Sequence, residues 1–359
     1  MKIFHFKKFL HQKKALFAAI FLSAVLLSGC VYKSDLNIAA KPYDGVSYIK
    51  IASLTSAGEN PEEYAQGYDP IHNFDSNLSV PTYITKYDDT WFIVDCYHNR
   101  IIYSDTLGAP LTDWYIMTGE VTMPHTIASD GIVYLVDDTE NNRVLVFEKI
   151  NSKFINTQVI YDVGTRPHYT VYDKNTDTFY VWSSKTGELY CFRHTADSSL
   201  VYLTDIRKIP ELDGIYVRSF SIIDGDIYFV SGVSDEGKAA NIYCCELSSL
   251  KIKKTIPVPD SLAGMVQISK IQDYYYITTS TDLSGNQDCA TIIRTKDINK
   301  LAEGDYEDIY STYFVGGGTP YYISEVDGTY FLTEHRLKDH SIWSFKVENN
   351  QITDVTDLY

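Results

Sequence analysis

Two proline–histidine pairs are the residues of this 359-residue chain best suited to chemistry. They are Pro124-His125 and Pro167-His168, and the two histidines stand 43 residues apart. A neutral imidazole can bind a divalent cation such as zinc, which would then acidify a bound water or polarise a substrate. It can equally hydrogen-bond within a wet channel or contact an organic ligand. The pairs therefore predict either a metal site or a polar binding site.

Two carboxylates and several aromatic side chains complete the set of candidates. Asp137 and Glu334 each end an apolar strand pattern, and either could act as a catalytic base or a further metal ligand. Tyrosines close to the histidines in the pattern would form a stacking platform for a sugar or peptide ring. The predicted ligand-binding residues are Tyr83, His125, His168, Tyr169, Arg218, Gln267, Tyr321 and Tyr322. None of the motifs H-E-x-x-H, G-x-S-x-G and G-x-G-x-x-G occurs in the chain.

The elements that must position these residues are repeated short strands. Alternating runs bounded by Asp, Gly and Asn turns recur along the chain, and segments beginning at Pro81, Pro124 and Pro167 share one plan of strand, tight turn and strand. Three further segments repeat the plan more loosely, with spacings of 42 to 55 residues. Such a period predicts an all-β, six-bladed β-propeller of four-stranded antiparallel blades. A seventh blade would require residues 46–79, which lack hairpin turns.

Strand parity predicts where the candidates meet. In a four-stranded antiparallel blade, the start of the first strand and the end of the second lie on the same face of the disc, at the central channel. The first column comprises Tyr83, His125, His168, Ser219, Gln267 and Tyr322, and the second comprises Asp95, Asp137, Ser183, Ser231, Thr279 and Glu334. Each Asp is expected to cap backbone amides, with Arg100 or Arg143 as its partner. Residues 46–54 are expected to pair with the last blade and close the ring.

Two segments carry a family resemblance. Residues 94–104 (VDCYHNRIIYS) and 135–147 (LVDDTENNRVLVF) resemble the NHL repeat, with an Asp closing the second strand and an Asn-Arg-aliphatic start to the third. The Pro-His segments also resemble those of the peptidyl-hydroxyglycine amidating lyases, in which such histidines bind a catalytic metal. That resemblance implies a zinc-like ion on His125 and His168, but the third histidine of the lyase pattern is missing here.

The first thirty residues predict secretion and lipidation. A basic opening is followed by the 13-residue apolar segment ALFAAIFLSAVLL, the length of a signal peptide. It ends in Leu27-Ser28-Gly29-Cys30, which resembles the lipobox of bacterial lipoproteins and implies cleavage before Cys30 and a diacylglycerol on its sulfur. We therefore expect a signal peptide at 1–29, a lipidated tether at 30–45 and the propeller at 46–359. The protein would be anchored on the outer side of a bacterial membrane.

The charge and the cysteine spacing argue against nucleic acid as a partner and against cysteine-based structural sites. The first 29 residues hold five lysines and no acid, leaving 26 Lys and Arg against 47 Asp and Glu, a formal net charge of −21. Such a surface offers no basic stripe to nucleic acid. All 30 tyrosines also follow residue 29. The five cysteines after Cys30 show no C-x-x-C spacing, so no disulfide framework or zinc knuckle is predicted.

Three functions follow from this pattern. The leading hypothesis is a lipid-anchored extracytoplasmic propeller that binds a glycan, peptide or protein at the channel mouth, with no cofactor required. The alternative is a metal-dependent lyase or hydrolase that uses His125 and His168. The third is a structural envelope protein whose broad face docks partners.

Overall fold

The computed structural model describes residues 69–194, 199–232, 234 and 237–359, together with the backbone of Ile51–Ser53. The predicted signal peptide, Cys30 and the tether lie outside the described residues. Six antiparallel sheets follow one another along the chain, which confirms the all-β, six-bladed propeller. Blade 1 comprises Pro81–Tyr87, Thr90–Asp95, Arg100–Ser104 and Tyr115–Thr118, and blade 2 comprises Ile127–Ser129, Val133–Asp138, Arg143–Ile150 and Lys153–Ile160. Blade 3 comprises Pro167–Asp173, Thr178–Ser183, Glu188–His194 and Val201–Lys208, and blade 4 comprises Val217–Ile223, Asp226–Ser231, Asn241–Glu246 and Ile252–Pro257. Blade 5 comprises Met265–Ile271, Tyr274–Thr279, Thr291–Thr295 and Glu307–Asp308, and blade 6 comprises Thr319–Val326, Thr329–His335, Ile342–Glu348 and Gln351–Asp357.

Two blades carry a fifth strand at their outer edge. Ile71–His72 pairs with the fourth strand of blade 1, and Ile51–Ser53 pairs with the fourth strand of blade 2. The predicted pairing of residues 46–54 with the last blade is therefore wrong. The outer strand of any blade offers unpaired backbone groups, so the strand pattern alone does not select the partner.

Hairpins join the first and second strands of each blade. In blades 4 and 6 the turns are Asp224-Gly225 and Asp327-Gly328, and all four residues have positive φ. Two-residue turns of this kind match the twist of the flanking strands, and Asp-Gly tolerates the left-handed conformation. We call the side of the disc that bears these turns the hairpin face, and the side on which the first strands begin the entry face.

The hydrophobic core consists of six clusters, one at each seam between neighbouring blades. In the second strand of blade 1, Phe92 and Val94 pack toward blade 2, whereas Ile93 packs toward blade 6. Alternate residues of one strand thus serve opposite seams, which explains why the second strands are apolar throughout. The first strands line the central channel.

Hydrogen bonds between neighbouring blades reinforce these seams. The Thr82 hydroxyl donates to the His125 carbonyl at 2.8 Å, and Thr333 of blade 6 donates to the Thr82 carbonyl at 2.8 Å. Ser219 and Thr278 make the corresponding bonds from blades 4 and 5, at 2.6 Å each. The position of each first strand is therefore fixed by its neighbours, which makes the channel a rigid support for a site.

Helical structure within the described ranges is limited to short connections. The 3₁₀ segments are Cys96–His98, Leu111–Asp113, Thr139–Asn141, Pro210–Leu212, Asp260–Leu262, Gln287–Cys289 and Ile298–Glu303, and the α-helical turn is Tyr310–Tyr313. None of the helices in the described part of the chain is long and apolar enough to span a membrane. The five cysteines of the body are all free.

Candidate functional site

A bulge near the start of the first strands divides the predicted column into two layers. Pro81, Pro167 and Pro320 pair with the ends of their second strands, and one extra residue follows in each case. In blades 2, 3, 4 and 6, the residue directly after this first position of the strand is His125, His168, Arg218 and Tyr321, respectively. In blades 1, 3, 5 and 6, the second residue after it is Tyr83, Tyr169, Gln267 and Tyr322, respectively. We call the first set the upper layer and the second the lower layer. The sequence alignment had placed the histidines one residue out of register with the tyrosines.

In the upper layer the two histidines stack on each other. Their ring centroids are 3.6 Å apart with an interplanar angle of 27°. His168 Nδ1 lies 2.9 Å from the Arg218 carbonyl, which can only accept, so Nδ1 carries the proton. Nε2 of the same ring then accepts from the Tyr216 hydroxyl at 2.8 Å. Both nitrogens of His168 are thus engaged by the protein.

His125 is held in the same tautomer by a different set of partners. The Thr139 hydroxyl donates to the Pro167 carbonyl at 2.7 Å and therefore accepts from His125 Nδ1 at 2.9 Å. The Nε2 lone pair faces the Cys96 thiol, with 3.8 Å between nitrogen and sulfur. Sequence reasoning missed Cys96 and Thr139, because both lie in the turns after the second strands.

Both imidazoles are uncharged at neutral pH. Burial, followed by the positive charges of Arg166 and Arg218, lowers the pKa of His125 to about 3. Burial together with the neighbouring His125 lowers the pKa of His168 well below its usual range. Burial likewise raises the pKa of the Cys96 thiol, which keeps it protonated. Neutral rings can stack closely without the repulsion that two imidazolium ions would suffer.

The described residues contain no group of three or more His, Cys, Asp or Glu side chains positioned to hold a metal ion. Three of the four histidine nitrogens have oxygen partners in the protein, and the fourth faces a protonated thiol. The set of side chains around His125 and His168 therefore does not fit the zinc-like ion that the lyase resemblance implies.

The two acidic residues after the second strand of blade 2 have different roles. Asp138, not Asp137, binds Arg143, at 2.6 Å, and so corresponds to the Asp95–Arg100 pair of blade 1. The predicted Asp137–Arg143 pair is therefore one residue out of register. Asp137 instead accepts from the backbone amides of His125 and Thr126, at 2.6 and 2.8 Å. Burial raises its pKa to about 7, and its contacts show a carboxylate that fixes the start of the first strand.

Glu334 faces a different part of the molecule. Its carboxylate accepts from Trp343 Nε1 at 2.7 Å and from the Tyr310 hydroxyl, and it is fully buried. These are partners from the seam between blades 5 and 6, and no hydrogen bond or ion pair of the described residues joins Glu334 to either histidine. Of the two predicted carboxylates, Asp137 therefore lies beside an imidazole, 4.0 Å from His125 Nδ1, and Glu334 does not.

Three cations surround Tyr216 on the entry face. The distances from its ring centroid are 4.9 Å to the Arg218 guanidinium, 5.2 Å to Lys185 Nζ and 5.7 Å to the Arg166 guanidinium. We call these three side chains the cation cluster. The Gly232 amide donates to the Tyr216 carbonyl at 3.1 Å, and only glycine allows this approach, because a Cβ at position 232 would lie 2.7 Å from the same oxygen. The Arg166-Pro167-His168 triplet is the only sequence signal that could have indicated Arg166.

The lower layer forms the floor of a cavity that opens on the hairpin face. The cavity has a volume of about 730 Å³, and three predicted residues, Tyr83, Tyr169 and Gln267, line it. Tyr322 separates it from the upper layer: its ring contacts Tyr169 at 5.1 Å, while its hydroxyl lies 3.1 Å from His168 Nδ1. The predicted ligand-binding residues are therefore divided between two ends of the channel.

The polar groups of the cavity floor are held in place. The Gln267 amide binds both backbone groups of Ile323, at 2.6 and 3.1 Å, and also approaches the Tyr169 hydroxyl at 3.4 Å. Since Gln267 donates to that oxygen, the Tyr169 hydroxyl proton is left to point elsewhere. Burial raises the pKa of Tyr169 to about 12, so the hydroxyl stays protonated. The floor thus combines aromatic faces with fixed donors and acceptors.

A second depression lies away from the channel. A groove of about 970 Å³ runs between blades 3 and 4 and is lined by residues such as Arg193, Arg207 and Lys253. These cations are engaged: Arg193 binds the Thr178 hydroxyl, Arg207 binds Asp205 and Lys253 binds Asp226. None of the predicted site residues lines this groove.

Comparison with known proteins supports the fold. No family model matches the chain, and no curated protein matches its sequence. Among solved structures, hydrazine synthase of Kuenenia stuttgartiensis is 15% identical, with 78% of this chain and 80% of that chain covered and a TM-score of 0.54. A putative 6-phosphogluconolactonase from Bacteroides fragilis is 12% identical (79% and 86% covered, TM-score 0.54), and one from Bacteroides uniformis is 12% identical (79% and 88% covered, TM-score 0.55). At these identities the likeness establishes the propeller fold alone, and the NHL resemblance stays a prediction.

Proposed function

We propose that the protein is a ligand-binding propeller that holds a small uncharged glycan in the cavity on the hairpin face. The observation that carries the proposal is the cavity itself, with predicted aromatic and amide residues from three different blades on its floor. Its volume of about 730 Å³ lies within the usual range for small-molecule sites.

The lining matches the chemistry of a sugar. Tyr83 and Tyr169 line the cavity, and the Tyr169 ring packs edge to face at 5.3 Å on Phe220, which is fully buried beneath it. Aromatic rings cover the apolar C–H faces of a pyranose, while hydroxyl and amide groups bind its oxygens. Ser269 and the Tyr169 hydroxyl supply such groups, while the Gln267 amide is held by the Ile323 backbone and orients the Tyr169 hydroxyl. The arrangement is rigid, so little conformational entropy is lost on binding.

Charge at the rim excludes acidic ligands. Asp173, Asp224 and Glu325 line the cavity together with one cation, Lys270, which binds Asp224 at 2.6 Å. The rim thus keeps an excess of negative charge, which repels uronic acids and phosphorylated sugars. An uncharged sugar, N-acetylated sugars included, is the class that remains.

The test is sugar binding measured by calorimetry on the purified protein, with glucose, galactose, N-acetylglucosamine and their disaccharides as probes. Ser269→Trp places a large ring in the cavity and should abolish binding, whereas Ser284→Trp, in an exposed turn of the entry face, should leave it unchanged. Tyr169→Phe removes one hydroxyl and should weaken binding about fivefold. Absence of binding to every probe, or equal binding by Ser269→Trp, would refute the proposal.

The enzyme alternative has less support. A metal-dependent lyase or hydrolase would need His125 and His168 to release the protein groups that occupy their nitrogens. A stoichiometric metal in the purified protein would favour it. A docking role for a broad face finds no specific support in the contacts of the described residues.

The location proposed for this activity rests on the sequence alone. The Leu27-Ser28-Gly29-Cys30 segment behind an apolar run supports a lipid-anchored protein outside the cytoplasm. A glycan-binding propeller at the cell surface would be in contact with extracellular carbohydrate.

A further inference from the structure

We infer that the entry face carries a second, independent binding site, in which the cation cluster binds an anionic group, a carboxylate or a phosphate. This site lies at the opposite end of the channel from the glycan cavity. Tyr322 and the stacked histidines separate the two, so the inference does not depend on the proposed glycan site.

The first argument is that like charges converge. Arg166, Lys185 and Arg218 come from two different blades, and each lies within 6 Å of the Tyr216 ring centroid. Three positive charges this close repel one another, and one tyrosine ring offsets only part of that cost. The formal net charge of the chain is −16, so acidic side chains outnumber basic ones in the sequence, yet three cations converge here. Their convergence therefore indicates an anion that the three cations bind together.

The second argument is that the cluster is short of counter-ions. The ion pairs of the described residues give it one carboxylate, Glu140, which binds Arg166. Lys185 has no carboxylate partner among the described residues, and the side-chain hydrogen bond of Arg218 is a long contact of 3.4 Å from Nη1 to the Met265 carbonyl. Most of the guanidinium donors of Arg218 are thus left for a ligand. A guanidinium binds carboxylate and phosphate oxygens in pairs, which gives the site directionality.

The third argument is that hydrogen bonds to His168 preorganise the cation cluster. The Tyr216 hydroxyl donates to His168 Nε2 at 2.8 Å, and the Arg218 carbonyl accepts from His168 Nδ1 at 2.9 Å. The buried His168 ring therefore fixes both the side chain of Tyr216, at the centre of the cation cluster, and the backbone of Arg218. Because that ring is neutral, it adds no charge and acts as a support. His168 is a positioning residue for this site.

The test uses small probes that carry no sugar ring. Inorganic phosphate and glutarate are titrated into the purified protein at constant ionic strength set with sodium chloride, and the uncharged glutaramide serves as the matched neutral compound. We expect phosphate, glutarate or both to bind. Binding of phosphate alone assigns the site to a phosphate group, and binding of glutarate alone assigns it to a carboxylate.

Variants connect binding to the cluster. Arg218→Gln should raise the Kd at least about tenfold, and Arg218→Lys should have an intermediate effect because it keeps the charge but loses the paired donors. Lys346→Gln removes one cation from the third strand of blade 6, where it pairs with Asp354, and should leave the Kd within about twofold. Ser269→Trp in the glycan cavity should also leave it unchanged. Circular dichroism confirms that each variant is folded.

Three results would overturn the inference. They are the absence of binding by both anions, equal affinity for glutaramide and glutarate, and an unchanged Kd in folded Arg218→Gln. Since the probes contain no sugar, their failure leaves the glycan proposal standing, and failure of the glycan panel leaves the anion site standing.

Discussion

The stacked histidines show how burial determines a residue's chemistry. His125 and His168 each give their Nδ1 proton to a protein oxygen, and both rings are almost wholly buried. A charged imidazole in that position would lose its hydration and face a second ring at 3.6 Å. The pair therefore supports the channel as neutral hydrogen-bonding groups, and folding should resist its protonation.

A pH dependence of stability follows from His125. Its pKa falls from an ordinary value of 6.5 to about 3 on folding. Between those values the unfolded chain binds a proton that the folded chain does not, so this contribution to stability is lost as pH falls from about 6.5 toward 3. His125→Gln should reduce the difference in the free energy of unfolding between pH 7 and pH 4.5 by about 2 kcal/mol. Urea unfolding at both pH values measures it.

Other titratable groups also contribute to the pH dependence of the free energy of unfolding. The pKa of His335 is lowered to about 4 by burial and acts in the same direction as that of His125, whereas the raised pKa of Asp137 acts in the opposite direction. Comparing the variant with the wild type cancels the contributions of His335 and Asp137, whereas the part of the lowered pKa of His168 that His125 causes is removed together with His125. An identical slope in His125→Gln would show that the imidazole already titrates normally in the folded protein.

At the residue scale, the sequence predicted which side chains are neighbours but not the exact register of the first strands. It identified His125, His168, Tyr169, Tyr321 and Tyr322 as neighbours, because each repeat starts from the same apolar strand. It missed the one-residue offset, since a bulge changes side-chain direction without changing composition. Tyr216 and Lys185 were missed because they lie in turns, whose partners come from other blades.

At the scale of elements, ring closure is the feature that the repeats do not specify. Blades 6 and 1 exchange no strand among the described residues, and their seam is a packed cluster that includes Trp114 and Phe331. Tyr359 closes it: its ring packs edge to face on Trp114 at 6.0 Å, and its hydroxyl donates to the Ala109 carbonyl at 3.0 Å. Its own carbonyl accepts from the backbone amides of Ser341 and Ile342.

The side chain of Tyr359 should therefore stabilise the closed ring. Tyr359→Ala removes aromatic packing and a hydrogen bond, and we expect it to lower the free energy of unfolding by about 2 to 4 kcal/mol. Tyr97→Ala is the matched control, because 57% of Tyr97 is exposed and the change should cost less than about 0.5 kcal/mol. Equal stability of the two variants in urea unfolding would mean that the seam closes without Tyr359.

Strand periodicity predicted the elements better than their partners. The hairpin turns and alternating residues gave six blades, and the structure has six. The same pattern could not place residues 46–54, because edge pairing uses backbone groups that every sequence shares. Ile51–Ser53 lies on blade 2 as a consequence of chain path, which local composition does not encode.

At the scale of the whole molecule, the charge distribution separates two surfaces. The chain is acidic overall, yet the entry face gathers three cations around Tyr216 while the hairpin-face cavity has three carboxylates and one lysine at its rim. Two sites of opposite sign on one rigid channel would let the propeller bind an acidic and a neutral group at the same time. Neither polarity could be predicted from the sequence, because both arise from residues distant along the chain.

The predicted lipid anchor determines where those surfaces act. The body after residue 29 has a formal net charge of −21, so an anionic membrane surface would repel it and the predicted attachment would depend on the acyl chains. Two chains bind stably where one does not, at about 0.8 kcal/mol per buried methylene. Cells grown with an alkyne-tagged palmitate should therefore yield labelled wild-type protein in the detergent phase. Cys30→Ala should be unlabelled, while Cys289→Ala, which removes a partly exposed thiol of the body, should label like wild type. Label that persists in Cys30→Ala would show that the acyl chains are not on Cys30, and label absent from the wild type would remove the membrane from the protein's partners.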